Sequence, residues 1–486
     1  RAAAAGLPAE LREKVAAGYG GAIDADEPEA VPLPAAVDGR RLPAPYGSPE
    51  ELARGLGLSL FDEDPHRFEV LMAGLATWSE RDPEGLRAAL RPWTEPLDAS
   101  FFGHGQWPDG LHEQVGYALR RAFLAFAAPA VSRSATSRLR QWARTPAVLD
   151  EPPLRRCAEL AARYADGGRY PVVLATPTAV TGHVAPGVLL DRLERLEAEG
   201  VEALPDDLTQ ALLRLPREVA SDDVTRAGRL TSEAGRACAA WMAGERLGDP
   251  EVTVDRHPWS WLPTTIDADG APWRVRELLE IRAAHSWSKD WWPLVMPSHR
   301  DVVAAHLVSP LAAGTEDTES DARVLVDLVH GEGPLGTGMA YALACGMGQA
   351  QAAGRAAAGD ALLTLAARGE VPATELARVA TKLVKSEYVK LNRVVAVLDD
   401  ATQAGAHEAV WEVVVRLLPG LLPEDGERPR ARLADLLAAG ARAARIGRVR
   451  ADLPEVAAVA ARKGSSRLVQ EARRLQRLLQ TSESTL

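Results

Sequence analysis

Apolar residues recur at three- and four-residue intervals along most of the chain, the spacing that lines one face of an α-helix. Phe68, Leu71, Met72, Leu75 and Trp78 form one such stripe, and Leu111, Val115, Ala118, Leu119 and Ala122 form another. A further helix is predicted over 187–199. Strict alternation of apolar and polar positions, the mark of a half-buried strand, is nowhere sustained. Beyond residue 334 the pattern becomes helix after helix divided by short turns, over 355–367, 374–385, 389–402, 407–418, 430–444 and 454–479, the last broken at Gly464. Successive pairs begin near 355, 389 and 430, spacings of 34 and 41 residues. That is the range of HEAT and armadillo hairpins, which must stack because a single helix pair cannot bury its own apolar face. The predicted fold is all-α with no substantial sheet. An irregular helical domain spans 51–311, a boundary loop and connecting segment 312–333, and a HEAT/armadillo-like α-solenoid 334–486.

Four segments break the helical texture. After a short helical possibility at 11–17, residues 1–50 carry Pro28, Pro32, Pro34, Pro43, Pro45 and Pro49 and read as a Pro/Ala-rich linker laid over a surface. Residues 170–186 hold a β-branched run flanked by prolines and read as a loop. Seven of the twelve tryptophans fall within 241–292. Residues 312–320 are small, acidic and unpatterned, which places an exposed loop and the internal boundary there.

With 486 residues, 47% hydrophobic and 25% charged, the chain has a globular balance and is too long for one small core. No apolar run reaches the roughly 18 residues that a membrane span requires. The chain starts at Arg1 and no basic-then-apolar signal follows, which reads as an internal start of a longer protein. Fifty-six basic residues against 67 acidic give a net charge of −11, which argues against a general nucleic-acid binder. The three cysteines, Cys157, Cys238 and Cys345, are widely separated among apolar neighbours and read as buried small hydrophobes of a reducing cytoplasm.

Chemistry is sparse. The string from His330 to Met339 contains G-x-G-x-x-G at Gly331, Gly333 and Gly336, but Pro334 interrupts it and no βαβ unit surrounds it, so a turn between helices is expected. His299 and His306 stand seven apart, about 10 Å along a helix, too far to share a metal ion. Both are expected to be structural, on a helix opened by Ser298 as cap with Asp301 in its first turn. The paired carboxylates Asp206-Asp207, Asp222-Asp223 and Asp399-Asp400 are expected at helix starts or on solvated faces. No spacing selects a catalytic triad, a metal site or a cofactor site. The most conspicuous residues are Trp259, Trp261, His285, Trp287, Trp291, Trp292 and His299, which either plug the joint between the two halves or line a binding surface there. The run 462–477 is the one basic patch, with Arg467, Arg474 and Arg477 near one face.

Several blocks resemble a known family. They are Leu174-Ala-Thr-Pro-Thr with the following Gly-His-Val-Ala-Pro and Leu189-Leu-Asp-Arg-Leu-Glu, Trp292-Pro-Leu-Val-Met-Pro-Ser-His-Arg-Asp-Val-Val-Ala-Ala-His-Leu, Lys390-Leu-Asn-Arg-Val-Val, and 460–475. Together they resemble the C-terminal part of an actinobacterial helical-repeat family of unknown function. The resemblance implies gene neighbours encoding SWIM zinc-finger proteins, MoxR-type AAA+ ATPases and von Willebrand A-domain proteins, and it implies no catalytic residues. The expected function is a non-catalytic cytoplasmic scaffold or adaptor that binds a protein partner and needs no cofactor. The rival expectations are a hydrolase or transferase site built on His257, His285 or His299 in the Trp-rich joint, and nucleic-acid binding through the C-terminal Arg helix.

Overall fold

A computed structural model describes residues 31–35, 41–59, 64–94, 111–145, 151–255, 262–271, 273–279, 289–316, 322–424 and 426–480. The first helices are α1 (Pro49–Ser59), α2 (Pro65–Arg81), α3 (Pro83–Thr94), α4 (Leu111–Ala127), α5 (Pro129–Trp142) and α6 (Pro152–Ala165). After an irregular stretch follow α7 (Pro186–Ala198), α8 (Pro205–Leu213), α9 (Ser221–Ala227) and α10 (Glu233–Met242). Proline opens α2, α5, α6, α7 and α8, where its fixed φ suits the first turn and its missing N–H would have had no partner. Asp64 caps α2 by accepting from the His66 N–H at 2.9 Å. The strands β1 (Val252–Val254) and β2 (Thr264–Ile266) pair antiparallel with Val252 opposite Ile266. Three residues are too few for a period of two to stand out in the sequence.

The remaining helices are α11 (Trp273–Leu279), α12 (Trp292–Val295), α13 (Arg300–Ala313), α14 (Val324–Leu328), α15 (Thr337–Met347), α16 (Ala352–Ala367), α17 (Ala373–Lys385), α18 (Leu391–Gln403), α19 (His407–Leu421), α20 (Leu433–Ile446), α21 (Pro454–Ala461) and α22 (Arg467–Gln480). The fold is all-α, and the helices read from the pattern beyond residue 355 lie within three residues of these bounds. In this half α13, α15, α17 and α19 pack side by side in one layer, with α14, α16 and α18 in a second. α20 packs on both layers, and α21 and α22 follow it. Residues 300–308 of α13 and 338–347 of α15 are buried without exception, as helices apolar nearly all round must be. One continuous apolar cluster runs from Leu52 to Leu479.

The segment 312–333 carries structure of its own. Gly314–Glu316 form a single 3₁₀ turn in which Gly314 and Thr315 are buried. The Gly314 carbonyl accepts from the Ala350 N–H at 2.9 Å, and the Thr315 carbonyl accepts from Arg393 at 2.9 Å. Buried Val324, Leu325 and Leu328 then anchor α14. Helices on the two sides of the segment, α13 and α15, pack along their length.

The glycine string 331–338 joins α14 to α15. A methyl group on Gly331 would stand 2.8 Å from the Pro297 carbonyl oxygen, one on Gly336 2.6 Å from the Asp301 carboxylate, and one on Gly338 2.4 Å from the Asp301 carbonyl. The missing side chains let the start of α13 lie directly on this turn. Asp301 therefore caps the neighbouring helix, accepting from the Met339 N–H at 2.8 Å. Ser298 is not the cap of α13: His299 holds that position, and the Ser298 hydroxyl donates to the Leu215 carbonyl at 2.5 Å. Tertiary partners outbid the local helix for both side chains.

Candidate functional site

Of the tryptophans and histidines singled out in the sequence, Trp291, Trp292 and His299 fall among the described residues; Trp259, Trp261, His285 and Trp287, with His257, lie outside them, as does the helix expected at 11–17. The three described side chains are buried rather than displayed. Trp291 sets its ring edge-on to Phe68, with centroids 5.0 Å apart. Trp292 stacks on His306 at 3.7 Å with planes 14° apart. Burial pushes the His306 imidazole down to about 3, so it stays neutral and serves as a flat aromatic partner. His299 places Nε2 3.3 Å from the Leu247 carbonyl, and burial lowers its pKa as well.

Beneath these rings lies an ionic cluster that the sequence reading missed. Glu69 on α2 accepts from both terminal nitrogens of Arg156 at 2.6 and 3.0 Å and from Arg214 at 2.8 Å. Arg156 Nε reaches Asp207 at 3.3 Å, and Asp207 also accepts from the Leu174 and Ala175 N–H groups at 2.6 and 3.2 Å and from the Tyr170 hydroxyl at 3.0 Å. Arg214 donates onward to the Leu294 and Ala175 carbonyls at 2.8 and 2.5 Å. Arg192 donates to the Leu174 and Thr176 carbonyls, both at 2.7 Å. Gln210 holds the Val295 carbonyl at 2.6 Å. Burial pushes the Glu69 carboxyl up, but the two guanidinium groups outweigh that and hold it at about 2.

Asp207 opens a helix, as expected, yet it is 2% exposed and faces the core rather than water. The legible signal was Glu69, a carboxylate set between apolar Phe68 and Leu71, and Arg156, set among Leu154, Cys157 and Leu160 on α6. Chemically the cluster is a clamp. Its charges are spent on one another and on the irregular backbone at 174–176, and with Gln210 they meet the last carbonyls of the short helix α12, which would otherwise have no helical partner.

Among the described residues three open clefts stand out on the surface. One of about 660 Å³ between α5, α6 and α8 is lined by Arg140, Arg144, Glu159, Arg163 and Asp166, with Arg155 tied to Asp206 at 2.6 Å and Glu277 at 2.9 Å. A second of about 760 Å³ runs between α7, α8 and the start of α10. The third, of about 740 Å³, lies at the hairpin ends of the stack, where the α16–α17 turn (369–375) meets the α18–α19 turn and the first turns of α19 (405–416). Its floor is apolar, with Ala366, Val371, Ala406 and Ala409, and its rim carries Glu375, Glu408 and Arg416.

The basic helix α22 is largely committed within the protein. Arg467 pairs with Asp435, Arg474 stands 3.6 Å from Glu471, and Arg473 donates to the Ala460 carbonyl at 2.8 Å. The cysteines are all buried, and burial pushes the Cys238 and Cys345 thiols up to about 12. Among the described residues no group of three or more His, Cys, Asp or Glu side chains could hold a metal ion, and no helix is long and apolar enough to cross a membrane.

No curated protein and no solved structure matches the chain. Two family models do, and they part between residues 262 and 279, inside the tryptophan-rich stretch and ahead of the 312–333 segment. The chain carries, one after the other, a match to the domain of unknown function DUF7824 over residues 50–262 and a match to the domain of unknown function DUF7825 over residues 279–423.

Proposed function

We propose that this protein is a non-catalytic scaffold or adaptor that binds a protein partner in a bacterial cytoplasmic complex. The reading rests on the two-layer stacking of α13–α20, in which each helix packs on the one two places along. We read this stacking as a HEAT-like array, whose turns and outer faces would offer a continuous surface suited to a protein rather than a small molecule. The clamp around Glu69 supports the same reading, because its buried charges hold backbone in place and line none of the three clefts described above. The partner is an AAA+ ATPase with its von Willebrand A-domain companion, or a SWIM zinc-finger protein, the neighbours that the sequence resemblance implies.

Affinity purification of the tagged chain from its own host, followed by mass spectrometry, tests this. The expected result is one of these proteins in stoichiometric amount. A chain that emerges alone at physiological salt overturns it.

A further inference from the structure

Of the three clefts, the one at the hairpin ends has part of the chain itself seated in it. Val31, Pro32 and Leu33 form one wall, although they precede the rest of the groove by more than 330 positions. The approach is backbone to backbone. A methyl group on Gly405 would stand 2.7 Å from the Val31 carbonyl oxygen, 2.8 Å from the Leu33 nitrogen and 2.9 Å from Leu33 Cα. Gly405 has φ +104°, so this turn both requires glycine and, being glycine, leaves the strap room to touch it.

Within the strap one side chain is anchored. Leu33 is half-buried and packs against the core, whereas Val31, Pro32, Pro34 and Ala35 are exposed. Proline on either side of the anchor holds the backbone extended and removes two N–H groups that would otherwise need partners, so little entropy is lost on docking. A single leucine does not fill the groove: about 740 Å³ remains open beside the strap. The chemistry of the seat is therefore displayed by its own occupant.

We propose that this groove is a docking site for an extended apolar peptide of a partner protein, a leucine flanked by prolines, and that residues 31–35 hold it as an internal ligand which the partner displaces. This deepens the scaffold reading and rests on it. An internal ligand on a short tether competes at an effective concentration on the order of millimolar, so in the native chain the Leu33 seat is occupied and binding there is raised by whatever frees the strap.

The test uses a fluorescein-labelled peptide of residues 28–36 and fluorescence anisotropy on the full chain. The Leu33→Asp chain is expected to bind the peptide about tenfold or more tightly than the native chain does. A peptide carrying the same Leu33→Asp change is expected not to bind, and Ala409→Arg added to the Leu33→Asp chain is expected to abolish binding, with Ala366→Arg as the second groove variant if the first loses its helical circular dichroism. Equal binding by the native and Leu33→Asp chains, or binding that ignores both groove variants, overturns the proposal. A native chain that light scattering shows to be a dimer, and that Leu33→Asp makes monomeric, overturns it in favour of exchange of the strap between copies. The two readings fail separately: a partner captured equally by the native, Leu33→Asp and Ala409→Arg chains removes the groove and keeps the scaffold, whereas peptide binding without any captured protein does the reverse.

Discussion

Up to residue 316 the core is threaded with buried polar groups, among them Glu69, Arg156, Asp207, Gln210, Arg214, Ser298, Asp301 and His306; beyond residue 322 the described buried polar residues are Gln349 and Thr402 alone. The first region has long irregular connections, 166–185 among them, and a backbone whose N–H and carbonyl groups need side chains to meet them. The second has helices packed in regular layers, and the side chains that meet its backbone, such as Arg355, Arg368 and Arg393, do so at the ends of helices and lie partly in water. Polar burial thus follows irregular backbone. Where the chain departs from periodic structure it needs charged side chains to hold one arrangement, and where it is periodic, leucine, valine and alanine suffice.

The difference is tested most severely at Glu69. Glu69→Ala leaves Arg156 and Arg214 buried without their shared carboxylate and is expected to cost about 3–5 kcal/mol in urea unfolding. A loss of the size seen at exposed surface sites would break the comparison. The same carboxylate sets an acid limb. Its pKa is lowered in the folded chain, so its contribution is complete above about pH 4.5 and is lost as the pH falls toward about 2. Thermal melts of Glu69→Gln across that window should fall less steeply than those of the native chain.

In the periodic half the counterpart is an apolar cavity. Leu383 on α17 is 2% exposed, and Leu383→Ala is expected to cost about 2–4 kcal/mol with no change in the pH profile. A pH-dependent loss there would mean that polar groups also hold the stack.

His306 sharpens the boundary between the two regimes. Burial holds its folded pKa at about 3, below the ordinary 6.5, so the unfolded chain takes up the proton first and stability declines as the pH falls below about 6.5. His306→Phe keeps the stack on Trp292 and is expected to flatten melting temperature against pH between 6.5 and 4.5, a decline worth about 2 kcal/mol in the native chain. The smallest effect belongs to the exposed pair Arg467–Asp435, where Arg467→Ala is expected to change stability by at most about 1 kcal/mol.

Much of the fold was legible because its signals are local. The stripes at 3–4 spacing and the turns marked by proline and glycine located α2, α4, α7 and every helix from α16 to α22 within a few residues. The three-residue strands were not, since a hairpin so short has no period to display. The Gly331–Gly338 string read correctly as a turn, but the sequence offered no reason for so many glycines; that reason is the backbone of 297–301 lying on top of it. Trp291 and Trp292 stood out by residue type alone, and only packing decided that Phe68 and His306 would cover them. Of the Pro/Ala-rich stretch, expected to lie over a surface, residues 31–33 stand against Gly405.

What the sequence by itself determined is the class of structure and the spacing of its helices, because helix propensity, amphipathic period and turn chemistry act over a few residues. The tertiary structure alone decided which distant groups meet: Glu69 with Arg156 and Arg214, Asp301 with the start of α15, and Leu33 with a turn more than 330 positions away. Each of those meetings depends on where several helices cross in space, and no local period encodes a crossing.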